Sequence, residues 1–132
     1  MGCDIHLHTE VKVDGVWHSY GQPRLERSYR LFEKMAGVRG LVENAISPPK
    51  GLPDDISVVV RLHVDDCEGS SHSHSWLGPE EIKELSVWLR ETNVHWPYND
   101  LEHGWIGYLF SNSWHRFPDV FEDVRLVFWF DN

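Results

Sequence analysis

The chain has 132 residues, 41% hydrophobic and 25% charged, with 12 Lys and Arg against 21 Asp and Glu for a net charge of -9 when histidine is neutral. Residues 1–132 suit a single domain, roughly 100 to 150 residues being the commonest size, with apolar material for one core and too little length for a (β/α)8 barrel, which needs at least about 200 residues. The acidic balance excludes broad binding to polymeric nucleic acid, which depends on many cations neutralising phosphates, and leaves room for a small anionic ligand at a local basic patch.

The first predicted element is a strand of about ten residues, because Ile5, Leu7, Val11 and Val13 alternate with Asp4, His6, His8, Glu10 and Lys12. Asp14-Gly15 followed by Val16-Trp17-His18-Ser19-Tyr20 is a hairpin signal, so the first two strands are expected to pair antiparallel. From Ser28 to Val38, Leu31, Phe32, Met35 and Val38 recur at helical spacing, and Gly40 is placed to end the helix in a left-handed cap. This helix is expected to cover one sheet face. Ser47 to Asp55 holds three prolines and a glycine and reads as a loop. Ile56 to Val64 is β-branched and short, a pattern that fits strand and helix alike. Gly69 to Ser75 reads as a polar loop carrying His72 and His74. Pro79 then opens a helix with Ile82, Leu85 and Leu89 as its inner stripe and Glu80 and Glu81 at the positive end of its dipole. Residues 92–118 mix five Trp and Tyr residues with His, Gly and Pro, and suggest an aromatic loop region with short helical turns. Val124 to Asp131 is apolar at nearly every position and predicts a central strand. The sum is an α+β fold: a small, mainly antiparallel sheet containing the N- and C-terminal strands, with two or three helices packed on it.

Cys3 and Cys67 do not make a disulfide framework and are taken as reduced. No secretory signal is visible, and no apolar run approaches the roughly 20 residues of a membrane span. Gly2 lacks the Ser or Thr at position 6 that myristoylation wants, where this chain has His6. A soluble, cytoplasmic protein without a membrane partner is expected.

Residues two apart on a strand point to the same side, so Asp4, His6 and His8 converge. Neutral imidazole and carboxylate suit zinc, iron, manganese or nickel, and a divalent zinc or manganese ion is the expected cofactor. The same pattern also describes the wet face of a half-buried antiparallel strand. His72-Ser73-His74 is a second His-x-His. If both pairs share one site, Asp4, His6, His72 and His74 hold the metal, and Asp4, His6 and His74 carry the catalysis, with the ion lowering the pKa of bound water towards neutrality. Without metal, a histidine could serve as general acid or base, its ordinary pKa lying near physiological pH.

Arg24, Arg27, Arg30, Arg39 and Lys50 concentrate in the first part of the chain. Most suit solvated helix flanks, whereas Arg39 and Lys50 adjoin glycine and proline in loops, where binding groups are commonly presented, and Arg clamps phosphate bidentately. Trp76, Trp96, Tyr98 and Trp105 could stack on a nucleobase, although most of the seven Trp must be core. Arg39, Lys50 and Trp76 form the candidate ligand-binding set. Neither a Gly-x-Gly-x-x-Gly fingerprint, a Gly-Lys-Ser/Thr phosphate loop nor a Gly-x-Ser-x-Gly elbow occurs, so dinucleotide, ATP and serine-nucleophile chemistry are unsupported.

Asp4-Ile5-His6-Leu7-His8-Thr9 resembles the opening metal motif of the polymerase-and-histidinol-phosphatase (PHP) phosphoesterases, over those six residues alone. A broader resemblance is to a family of small phage and bacterial proteins that begin Met-Gly-Cys-Asp-Ile-His and end in a Phe-x-Phe-Asp-Asn strand. It is carried by residues 1–13, Tyr29 to Arg39, Lys50-Gly51-Leu52-Pro53, His72-Ser73-His74-Ser75-Trp76-Leu77 and Val124 to Asn132. That resemblance brings no established activity. It implies a phage setting, in the host cytoplasm, where small proteins often act against host defences. In that family an aromatic can replace the second His of the opening motif, so His8 is not carried into the ligand set.

These readings lead to a metal-assisted, phosphodiesterase-like hydrolase acting on a small nucleotide, in a phage setting a host cyclic nucleotide signal. The alternatives are a non-enzymatic module that sequesters such a nucleotide with the same basic and aromatic groups, and a protein interaction module whose acidic surface mimics nucleic acid. An exposed sheet edge could pair with a second copy, so a homo-oligomer is compatible with the sequence.

Overall fold

The computed structural model describes residues 2–23, 25, 27–92 and 121–132. Strand β1 (Asp4–Val13) turns through Asp14 and Gly15 into β2 (Val16–Gly21). Both turn residues have positive φ, 50° and 76°, as a two-residue hairpin matched to strand twist requires. Helix α1 (Tyr29–Ala36) follows, then a 3-10 turn (Val42–Asn44), helix α2 (Val58–Asp66), strand β3 (Ser71–Leu77), helix α3 (Pro79–Glu91) and strand β4 (Asp123–Asp131). The strands form one antiparallel sheet in the order β2-β1-β4-β3, with the N- and C-terminal strands paired at its centre from Asp4↔Asp131 to Lys12↔Asp123. The fold is α+β, as expected. No helix among the described residues is long and apolar enough to cross a membrane.

The sheet has two covered faces. On one, Leu7, Val11, Val124, Leu126, Phe128 and Phe130 pack with Leu31, Phe32 and Met35 of α1 and Ile82, Leu85 and Leu89 of α3. Phe128, Phe130 and Leu126 are fully buried, and each such side chain contributes about 1.5 to 3 kcal/mol. On the other face α2 lays Val60 and Val64 against Val127 and Trp129. The polar, even-numbered side of β1 is therefore roofed by a helix, with His8 3% and Glu10 0% exposed.

A buried ionic knot fastens that roof. Glu10 accepts hydrogen bonds from Arg125 Nε and from the Ser57 backbone N–H, both at 2.7 Å, and Arg125 also reaches Asp55 Oδ1 at 3.0 Å. Its guanidinium lies 3.8 Å from the Trp17 ring centre, and the Arg125 hydrogen bond holds Asp55's carboxyl below its ordinary range. The start of α2 is thereby tied to β1 and β4, which fixes where the rest of the helix falls.

Two local expectations change and one open segment is decided. Helix α1 ends at Gly37 (φ 76°), whose N–H caps the Glu33 carbonyl at 2.8 Å, and not at Gly40. The ambiguous Ile56 to Val64 stretch is helical in its greater part. Its periodicity was blurred because α2 leaves Val58, Val59 and Leu62 75%, 56% and 64% exposed, so apolar residues occupy both sides. The expected polar loop at Gly69 to Ser75 is largely the edge strand β3. There the ladder to β4 supplies the order that the side chains do not, and the proline-rich loop covers the outer edge, Lys50 N–H donating to Ser75 Oγ at 3.1 Å and Gly51 N–H to the His74 carbonyl at 2.8 Å. Helix α3 starts at Pro79, with the Glu81 carboxylate accepting from the Gly78 N–H at 3.1 Å. The aromatic region at 93–118 lies outside the described residues, and with it Trp96, Tyr98 and Trp105.

Candidate metal centre

His63 and Cys67 stand four residues apart, one helical turn, so both come to the same side of α2. Cys67 closes the helix, its N–H donating to the His63 and Val64 carbonyls at 3.2 and 3.1 Å. Below them β1 presents His6. One ring nitrogen from each histidine and the Cys67 sulfur all lie within 4.8 Å of one another, a cluster that could hold a metal ion. Tetrahedral donors at ~2.0 to 2.3 Å from an ion sit about 3.5 Å apart, so closing the cluster asks for side-chain movements of about 1 Å.

Trp129 is the floor of this region. The rings of His6, His8 and His74 stack on it at centroid distances of 5.5, 5.9 and 6.2 Å, and His63 meets it edge-on at 4.9 Å. Trp129 is fully buried, and its Nε1–H has no partner among the described residues. His6 Nε2–H donates to Asp131 Oδ2 at 2.5 Å, and His8 Nε2 lies 2.7 Å from His63 Nδ1. Burial, with His63 adding to it, pushes the His8 pKa down to about 4. Burial also lowers His63, helped by His6, and His74, helped by His72. These three imidazoles are neutral at pH 7, the form that binds metals.

The sequence-derived site residues fall in several places. His6 belongs to the cluster. Asp4 does not, because its carboxylate is gripped by Arg27 at 2.9 and 3.1 Å, which holds it below its ordinary pKa. His74 lies on Trp129, on the same face. His72 is opposite Phe130 on the other face, with Nε2–H donating to Asn132 Oδ1 at 3.2 Å and Nδ1 accepting from the Ser73 hydroxyl at 2.9 Å. Ser73 has φ 56° where the register breaks between His72 and Ser75, and this bulge turns the two histidines apart. Lys50 and Trp76 meet, the ammonium 3.9 Å from the ring centre and 2.5 Å from Glu81. Arg39 is elsewhere, 5.1 Å over the Tyr29 ring and hydrogen-bonded with the Cys3 thiol. Arg24 lies outside the described residues.

His63 and Cys67 are the donors that sequence reasoning missed. The signal that reveals them is His63-x-x-x-Cys67, which means nothing in a strand and becomes a chelating pair once the segment is helical. A separate cavity of about 300 Å³, lined by Arg30, Glu33, Lys34, Asn44 and Trp88, lies among α1, the 3-10 turn and α3 and contains none of these donors. Compared with known families, curated proteins and solved structures, the chain has no match.

Proposed function

We propose that this protein is a metal-assisted hydrolase whose ion is zinc, held by His6, His63 and Cys67 with one position open to substrate. The convergence of these three donors carries the reading. A thiolate beside two imidazoles suits zinc and disfavours manganese, which prefers oxygen donors, and three protein ligands with an open position mark catalytic rather than structural zinc. When bound, the ion supplies Lewis-acid activation of water. The chain's own residues bind and orient: His6, His63 and Cys67 hold the ion, Trp129 with Val60 and Val64 keeps one side dry, and neutral His74 is the candidate for moving a proton. Trp76 and Cys67 pack against the same small core, so Lys50 and Trp76 offer a cation and an aromatic face to a small phosphodiester on the same side of the sheet. A phosphate there would take Lys50 from Glu81.

The test is turnover of bis(p-nitrophenyl) phosphate and of a dinucleotide panel by zinc-loaded protein, with bound metal measured in parallel. Multiple turnover that is abolished by a chelator, restored by zinc and lost with the metal in Cys67→Ser supports the reading. Stoichiometric nucleotide binding without turnover would replace it with a sequestering module.

A further inference from the structure

Each histidine donor has one ring nitrogen engaged. His6 Nε2 is on Asp131 Oδ2 at 2.5 Å and His63 Nδ1 is on His8 Nε2 at 2.7 Å, while the far nitrogen of His8, Nδ1, faces Ser19 Oγ at 3.4 Å. A neutral imidazole has one N–H and one lone pair, and only the lone pair can meet a metal. A carboxylate accepts and does not donate, so the His6 proton belongs on Nε2 and its lone pair on Nδ1. The contact between His8 and His63 admits two proton arrangements. In one, His63 donates from Nδ1 into the His8 Nε2 lone pair, His8 donates from Nδ1 to Ser19 Oγ, and His63 Nε2 is left with a lone pair. In the other, the Ser19 hydroxyl donates to His8, His8 donates to His63, and His63 Nε2 carries the proton, which blocks it.

We infer that Asp131 and His8, with Ser19 behind it, are positioning residues for a divalent ion beside Cys67 Sγ: Asp131 fixes the His6 tautomer, and the ion selects the first of the two arrangements, in which His8 accepts the His63 proton, so that His6 Nδ1 and His63 Nε2 meet it. The inference rests on the metal-centre reading and deepens it. It gives His8 a task that its place in Asp4-Ile5-His6-Leu7-His8 conceals: with its ring stacked on Trp129 and buried beneath α2, it is an acceptor behind a ligand and not a ligand. Partners of this kind orient the ring and raise its basicity, and their loss typically costs about 10- to 100-fold in metal affinity.

The experiment is long-range proton–nitrogen correlation NMR on the full chain labelled with nitrogen-15 histidine, metal-free and then titrated with zinc, alongside zinc affinity by chelator competition. Expected are an Nε2–H tautomer at His6 throughout, an Nδ1–H tautomer at His63 in the zinc-bound protein, and zinc-induced shifts at His6 Nδ1 and His63 Nε2. His8→Gln, whose amide oxygen still accepts, should keep the affinity near that of the unmodified protein, whereas His8→Ala and Asp131→Ala should each weaken it by about 10- to 100-fold. Cys67-dependent zinc binding with His63 coordinated through Nδ1, or with His8 itself coordinated to the ion, overturns the inference and leaves the metal centre standing. No zinc binding overturns both. Should His8→Ala not fold, the tautomers of the unmodified protein decide the matter.

Discussion

His8 makes a quantitative demand on the pH dependence of stability. Its pKa is about 4 in the folded protein because burial and His63 oppose its charge, against about 6.5 in an unfolded chain. A histidine with a depressed folded pKa contributes stability that is present above the unfolded value and lost as pH falls, because the unfolded chain takes up the proton first. The loss amounts to about 2 kcal/mol at pH 5 and approaches about 3 kcal/mol below pH 4. Carboxylates whose pKa values lie below their ordinary range, Asp4, Glu33 and Asp55, contribute the same sign but only at lower pH, so the window between pH 6.5 and 5 belongs to the buried histidines. The assay is urea unfolding of chelator-treated protein and of His8→Gln at pH 7 and pH 5. The unmodified protein should lose about 2 kcal/mol more than the variant. Equal losses in the two proteins would refute the placement of His8 beneath α2.

Other perturbations test the frame around the site. Glu10→Gln leaves Arg125 without its buried partner and should cost about 3 to 5 kcal/mol in denaturant unfolding, with a parallel loss of zinc affinity because the start of α2 is released; a change below 1 kcal/mol would show that Asp55 and Trp17 suffice. Phe128→Ala, at a fully buried position between α1 and α3, should cost about 3 to 5 kcal/mol by the same measurement. Gly37→Ala meets both a left-handed backbone at φ 76° and the Val42 Cα at 2.6 Å from the added Cβ, so a loss of more than about 1 kcal/mol is expected, readable as a fall in the thermal midpoint.

Much of the frame was legible because strong local signals agreed with the tertiary result. The alternation in β1 was cut by Asp14 and Gly15, the two residues able to take the turn's positive φ. Pro79 and the Ile82, Leu85 and Leu89 stripe placed α3, and the run of β4, apolar at nearly every position with Arg125 the one interior exception, placed it between two neighbours. The rest depended on contacts no local pattern encodes. Strand β3 reads Ser-His-Ser-His-Ser-Trp-Leu and has order because β4 and the covering loop supply hydrogen bonds along both its edges. Helix α2 carries valines on its exposed side, so period did not distinguish it from a strand. The site follows the same division. His6 was visible as part of a polar face at period two. His63 and Cys67 become a pair only once α2 is known to be a helix, and His72 leaves the site through a bulge at Ser73 that the His-x-His spacing conceals.

The most direct measurement is the zinc content of three proteins saturated with zinc and freed of excess: the unmodified chain, Cys67→Ser and His72→Ala, with near-ultraviolet circular dichroism to show that each retains its packing. A centre built from His6, His63 and Cys67 gives close to one zinc per chain in the unmodified protein and in His72→Ala, and little in Cys67→Ser. Full occupancy in Cys67→Ser, or loss of zinc from a folded His72→Ala, would contradict it.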